Sequence, residues 1–205
     1  MRRGAAGRVR RRIVLAALCA AMSATAGAQP RPRVRVRVET ALGPFTVEVD
    51  AGVAPRTVAN FLAYVDGGHL DGGAVYRLVT LANQPPETRH PIEVVQWGFH
   101  ASDSRPPPFA PIPHETTRDS GLRHRDGTLS MARAAPGTAS GEFFICIGDQ
   151  PSLDFGGGRN PDGQGFAAFG QVVEGMDVVR ALHARAGAEQ FLREPIPLRR
   201  ARRLP

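Results

Sequence analysis

The stretch Gly127-Thr-Leu-Ser-Met-Ala-Arg-Ala-Ala-Pro-Gly-Thr-Ala-Ser-Gly-Glu-Phe-Phe-Ile145 decides the fold of this 205-residue chain. Its two ends are short and apolar and read as strands over about Thr128 to Arg133 and Glu142 to Gly148. The residues between them, Ala134 to Gly141, are small or turn-forming, so the chain reverses there with little side-chain bulk. A connection of this kind leaves room for a second peptide backbone to approach the strands.

Outward from this stretch the same signals repeat. Asp154 to Gly165 is glycine-rich and reads as a turn, Phe166 to Val173 returns to strand, Met176 to Ala184 suits a short helix, and a last strand is expected near Ile196 to Arg202. Upstream, Ala74 to Thr80 and Ile92 to Trp97 are apolar strands separated by the polar, proline-bearing surface loop Leu81 to Pro91. Ala101 to Leu122 holds five prolines and is expected to cross the surface with little regular structure. Arg33 to Thr40 alternates Arg with Val, and Phe45 to Val49 alternates again, which makes both half-buried antiparallel strands. Pro55 then opens a stretch with Val58, Phe61, Leu62 and Val65 at i, i+3, i+4 and i+7, closed by Gly67-Gly68. That pattern is an amphipathic helix with proline in its first turn and glycine past its end. There is no internal repeat and no second core. A mainly-β chain of many short strands and two helices fits a closed antiparallel barrel, because closure removes exposed sheet edges. Phe143, Phe144, Phe166 and Phe169 are expected to fill the interior, which disfavours a barrel that carries a small ligand.

Residues 1–28 read as an export leader. Six arginines lie between Arg2 and Arg12, an apolar run follows from Ile13 to Met22, and Ala26-Gly27-Ala28 offers a small-x-small cleavage site before Gln29. The run is too short to cross a bilayer, which takes about 20 apolar residues. A lipoprotein reading through Cys19 is disfavoured by Leu18 before it, and the residues around the arginine pairs give a twin-arginine signal poor support. The expected mature domain is therefore 29–205, periplasmic or secreted, monomeric, and without stable membrane insertion. Six of the 26 basic residues leave with the leader, and the other 20 face 19 acids, so the net charge falls from +7 to +1. The high pI belongs to the leader and does not argue for nucleic-acid binding. The clusters Arg31/Arg33/Arg35/Arg37 and Arg199/Arg200/Arg202/Arg203 read as a solvated strand face and a tail.

Cys146 is the one cysteine in 29–205, so that domain can form no internal disulfide, and its apolar surroundings make a buried, inert thiol the expectation. His69, His90, His100, His114, His124 and His183 show no metal-ligand spacing, and Asp154 to Gly165 lacks the alternating oxygen ligands of a calcium loop. Ser130 and Ser140 lie in no Gly-x-Ser-x-Gly elbow. No metal or cofactor is expected.

From Val34 to about Leu182 the chain resembles the cyclophilins, which catalyse cis/trans isomerisation of Xaa-Pro bonds. Gly127 to Ile145 resembles their central signature, and Leu70-Asp-Gly-Gly-Ala-Val-Tyr-Arg-Leu-Val79 resembles their Tyr-Asp-Gly-x-x-Phe-His-Arg-Val-Ile. The resemblance implies a closed eight-stranded antiparallel barrel capped by two α-helices. It implies Arg77 as the catalytic arginine, and Gln96 as the glutamine that bonds substrate backbone and steadies that arginine. Val94, Phe144, Leu153 and Phe166 would wall the proline pocket. Ala132, Arg133 and Ala134 would form the edge that pairs with the residue before proline, mainly through backbone groups. His124 would be a structural histidine. The implied partners are proline-containing polypeptides, with no cofactor.

The chemistry asked of such a site is set by the bond. Rotation breaks amide resonance against a barrier of about 18–20 kcal/mol and takes on the order of tens of seconds uncatalysed. No nucleophile is required. A catalyst must hold the proline ring in an apolar pocket and stabilise the twisted amide more than either planar form. The twisted nitrogen becomes pyramidal and gains a lone pair, to which a fixed guanidinium can donate.

Several positions depart from the family pattern. Tyr76 replaces histidine, Val75 phenylalanine and Glu142 glutamine, and the segment between Arg77 and Gln96 is longer by about eleven residues. The Glu142 carboxylate is expected to ion-pair with Arg77, either orienting it or diverting its donors from substrate. Trp97, where glycine is usual, is expected to narrow the groove. Ser152, where many eukaryotic members carry tryptophan, implies weak cyclosporin binding. Two functions follow: an isomerase that assists folding of exported proteins, or a low-activity peptide-binding module, a holdase or scaffold, built on the same barrel.

Overall fold

A computed structural model describes residues 33–99 and 105–205. The expected leader and the first part of the proline-rich loop lie outside these residues. Eight strands are present: β1 (Arg33–Thr40), β2 (Gly43–Asp50), β3 (Ala74–Val79), β4 (Val94–Gly98), β5 (Thr128–Met131), β6 (Glu142–Cys146), β7 (Ala167–Glu174) and β8 (Phe191–Arg203). They pair in the order β1-β2-β7-β5-β6-β4-β3-β8, and β8 returns to β1, closing an antiparallel barrel. Each strand has two partners, so no edge is left to template aggregation.

Among the described residues three helices accompany the barrel, α1 (Pro55–Asp66), α2 (Thr117–Ser120) and α3 (Met176–His183). The four-residue α2 lies in the segment expected to be irregular. A capping box between Thr116 and Asp119 starts it, and Gly121 at φ 74° ends it, so local hydrogen bonding makes a turn of helix that hydrophobic periodicity cannot reveal. The expectation of two helices thus missed a short third one.

The barrel interior is the main core. α1 turns Val58, Phe61, Leu62 and Val65 onto it, and Phe61 meets Phe143 edge-on at 5.0 Å and Trp97 at 6.4 Å between ring centroids. Strand alternation then divides the aromatic residues. On β6, Phe143 and Ile145 join the interior, whereas Phe144 and Cys146 face a second, outer cluster with Val79, Ile92, Val94 and Leu153. Phe144 and Phe166 therefore do not fill the interior as expected, because neighbours in a strand point to opposite faces.

Two irregularities in β3 and β8 shape the outer face. Val75 and Arg77 oppose the consecutive β4 residues Trp97 and Gln96, which leaves Tyr76 as an extra residue, a bulge. Val75 and Leu78 stay in the interior cluster, and Tyr76 and Arg77 do not. Bulges commonly re-aim a side chain in this way. On the other side of β3, Val75 pairs with Ile196 and Arg77 with Phe191, so β8 begins at Phe191 and not near Ile196. Pro195 falls within the looped-out part, where no ladder N–H is needed, and its presence hides the strand in the sequence.

Candidate active site

The outer faces of β3, β4 and β6 form one wall of a groove of about 480 Å³. Its apolar end is lined by Ile92, Val94, Phe144, Leu153 and Phe166. Phe144 and Phe166 meet at 5.3 Å and 88°, and the Phe166 N–H donates to the Leu153 carbonyl at 2.9 Å, which ties the two ends of the glycine-rich loop together. Behind Phe144, the His124 ring stacks at 5.9 Å and 15°. His124 Nδ1 lies 2.8 Å from Asp154 Oδ1, and its Nε2 lies 2.9 Å from Ser130 Oγ. Burial would raise the Asp154 carboxyl, but the bonds from His124 and the nearby Arg123 charge hold it below its usual value. The Asp-His-Ser order is that of a nucleophilic relay, yet Ser130 is fully buried, so no substrate carbonyl can reach it. This row instead fixes the ring that walls the groove.

Arg77 stands at the polar side of the groove, half-buried. Its Nη1 donates to Gln96 Oε1 at 3.0 Å, and its Nε and Nη2 donate to Gln190 Oε1 at 3.1 and 2.6 Å. The guanidinium also lies 5.5 Å from the centre of the Phe191 ring. A guanidinium has five N–H donors, and these bonds use three, leaving one on each Nη. Burial and then the charge of Arg159 lower the Arg77 pKa from its usual value.

The expected Arg77–Glu142 ion pair does not form. The Glu142 charge bears instead on the Tyr76 phenol, which accepts from Gln96 Nε2 at 2.7 Å. Burial first, and the Glu142 charge second, push the phenol far above its usual pKa, so it stays protonated. The bulge at Tyr76 sets this phenol on the Gln96 amide, whose oxygen accepts from Arg77. Trp97 does not narrow the groove either. Its side chain is fully buried in the barrel, edge-on to Phe45 at 5.5 Å.

The Ala132–Ala134 edge lines the groove beside Phe166. The Ala132 N–H donates to the Glu142 carbonyl at 2.9 Å, and the Ala134 N–H donates to Thr138 Oγ1 at 3.1 Å. Among the described residues no group bonds the Arg133 N–H or C=O, so these two are open to a peptide backbone. The Arg133 side chain is otherwise engaged. It donates to both Asp162 oxygens at 2.8 and 2.9 Å and to the Gly165 carbonyl, and its pull lowers the Asp162 carboxyl to about 2. The small residues of the Ala134–Gly141 loop serve packing as well as access. A Cβ on Gly141 would collide with the Tyr64 ring, whose hydroxyl lies 2.8 Å from Ser140 Oγ.

Arg77, Val94, Gln96, Ala132, Arg133, Ala134, Glu142, Phe144, Leu153 and Phe166 all line this one groove. Gln190 and Phe191 were not foreseen. They reach Arg77 across a separation of more than a hundred residues, and no local pattern announces them.

A closed antiparallel barrel that holds an apolar pocket next to a guanidinium suits a protein that turns bonds without breaking them. Residues 35–203 match the family model for cyclophilin type peptidyl-prolyl cis-trans isomerase/CLD, and the chain belongs to this family of enzymes. It is 36% identical over 146 residues to the peptidyl-prolyl cis-trans isomerase cyp18 of Streptomyces antibioticus, covering 71% of this chain and 80% of that protein. To peptidyl-prolyl cis-trans isomerase B of Escherichia coli it is 30% identical, over 76% of this chain and 87% of the relative. Among solved structures, a cyclophilin type isomerase of Cryptosporidium parvum superposes with a TM-score of 0.67 at 18% identity, covering 85% of this chain and 99% of the other. A second structure of that protein, in the presence of the dipeptide Ala-Pro, gives 0.64 at 20% identity over 82% and 96% of the two chains.

Proposed function

We propose that this isomerase is exported, acts on proline-containing segments of periplasmic or secreted proteins, and uses Arg77 to stabilise the twisted amide. The observation that carries the reading is the arrangement of Arg77. Two of its N–H donors are left over after Gln96 and Gln190 are served, next to an apolar pocket of the right character for a proline ring.

In this mechanism Val94, Phe144, Leu153 and Phe166 hold the ring, and the open backbone groups of Arg133 receive the residue before it in the planar amide and let it go as the amide twists. The carbonyl side of the amide then turns while the ring stays still. As the nitrogen becomes pyramidal, a free Nη–H of Arg77 donates to its lone pair. That bond exists only in the twisted state, so it lowers the barrier without tightening the ground state. Gln96 keeps the guanidinium in place. No cofactor enters the scheme. The basic leader with its Ala26-Gly27-Ala28 site supports export.

The test is exchange NMR on an Ala-Pro peptide with residues 29–205. Wild type should accelerate exchange, and Arg77→Ala should lose on the order of 10²–10³-fold, the usual cost of one transition-state donor, with little change in peptide affinity. Peptide resonances that shift without faster exchange in the wild type would point to the binding module instead. Export is tested by the N-terminal residue of the protein recovered from the envelope fraction, which should lie near Gln29.

A further inference from the structure

We infer that Gln190 is a positioning residue for Arg77, a second support as important to its alignment as Gln96. The inference rests on the reading of Arg77 as the catalytic group.

Gln190 lies just before β8, and its backbone carbonyl accepts from the Leu78 N–H at 2.8 Å, one residue beyond Arg77. This ladder bond sets the two side chains next to each other. The Gln190 Oε1 then receives both N–H groups on one edge of the guanidinium, Nε at 3.1 Å and Nη2 at 2.6 Å. Gln96 holds only the opposite Nη1. One acceptor on one Nη leaves the planar group able to pivot; a second on the Nε edge fixes its plane. Phe191 adds a contact with the ring at 5.5 Å.

The direction of the Gln190 amide is itself determined. Its Nε2 donates to the Asn83 carbonyl at 3.2 Å, so its oxygen must face Arg77. Asn83 is anchored in turn, its Nδ2 donating to the Leu78 carbonyl at 2.9 Å and its Oδ1 accepting from the Thr80 N–H at 2.9 Å. The turn that follows β3 thus aligns Gln190, and Gln190 aligns Arg77. Both supports of Arg77 are neutral amides. They order its donors without supplying a negative charge to compete with the substrate nitrogen, which an aspartate or glutamate would do.

The experiment compares wild type, Gln190→Leu, Arg77→Ala and the double variant in the Ala-Pro exchange assay, together with peptide affinity and the Arg77 Nε–Hε resonance. Gln190→Leu should slow catalysed exchange by about 10-fold to 10²-fold, the scale expected when a reacting group is misplaced by an ångström. Affinity should stay within about twofold, because Gln190 touches Arg77 and not the apolar end of the groove. The Nε–Hε signal should move and lose protection from solvent. In the Arg77→Ala background the same change should cost nothing further. Gln190→Asn, a milder change that withdraws the acceptor by one methylene, should lower the rate in the same direction and guards against a leucine variant that fails to fold. Wild-type turnover in a folded Gln190 variant, or an undiminished loss in the Arg77→Ala background, overturns the inference. If Arg77→Ala itself keeps the wild-type rate, the catalytic reading fails instead; if it loses the rate and the Gln190 variants do not, only the role of Gln190 fails.

Discussion

The outward sides of β1 and β6 face the same solvent and carry opposite chemistry. On β1 the outward residues Arg33, Arg35 and Arg37 lie across from β2, where Arg33 and Arg35 reach Glu48 at 3.2 and 3.1 Å. The Arg33 and Arg35 side chains remain 65% and 52% exposed. On β6 the outward residues after Glu142 are Phe144 and Cys146, 4% and 0% exposed, covered by Ile92, Leu153 and Phe166. The inward residues of both strands, Val36 and Val38 or Phe143 and Ile145, are alike. A barrel needs only its inside to be apolar. Where the outside is apolar too, the extra hydrophobic surface floors the groove, and the loops over it become its walls.

The sharpest test of this division sets two neighbouring phenylalanines against each other. Phe143 is fully buried among Phe61, Trp97 and Phe169, so Phe143→Ala should cost about 3–5 kcal/mol of stability, the usual range for a buried aromatic. The surviving folded protein should bind the Ala-Pro peptide normally. Phe144→Ala opens a wall of the groove; it should cost less stability and weaken peptide binding by about tenfold or more, as loss of 1.5–3 kcal/mol of ring burial implies. Denaturant titration and peptide titration of both variants decide the matter. Equal weakening of binding by the two changes would mean that interior and groove are not separate.

How much of this was legible follows from the range of each interaction. β1 was legible to the residue, because its Arg-Val alternation is a local signal, and α1 because its period and its proline are. The groove residues were legible through the resemblance, which concentrates on β3, β4 and the β5–β6 hairpin. What the sequence hid lies in register. The bulge at Tyr76 changes which face a residue takes, and it is a property of two strands, not of one. It set the Tyr76 phenol on Gln96, and no Arg77–Glu142 ion pair forms. The early start of β8 has the same origin, and with it went any sign of Gln190. Trp97 was misjudged for a simpler reason: as the neighbour of the outward Gln96 on β4, it had to point inward.

A finer test lies within the groove face itself. With glutamine at position 142 the phenol of Tyr76 loses the charge that acts on it, a change of about 1 kcal/mol, and the Tyr76–Gln96–Arg77 chain loosens. Glu142→Gln should therefore slow exchange by about fivefold or less, with affinity unchanged. Exchange NMR at saturating enzyme separates the two quantities. A faster variant would show that the carboxylate restrains Arg77 more than it orients it. The effect should be smaller than that of Gln190→Leu, because Glu142 acts through two intermediaries and Gln190 through none.

The smallest effect belongs to the charged face. Arg35 pairs with Glu48 in the open, and an exposed pair contributes between about 0 and 1 kcal/mol. Arg33 also reaches Glu48 at 3.2 Å, so Arg35→Ala leaves the carboxylate with a partner. The variant should lose less than about 1 kcal/mol, and the loss should shrink as salt is added, since screening acts on solvent-exposed charges. Thermal melts at two salt concentrations measure this, and exchange activity should match wild type throughout. A drop in activity would carry a particular meaning. β1 pairs with β8, and β8 holds Phe191 against Arg77, so the ladder gives a path by which one face could move the other. Unchanged catalysis in Arg35→Ala would show that the register of β8 is held by the barrel's backbone and interior and not by the arginines of the opposite face.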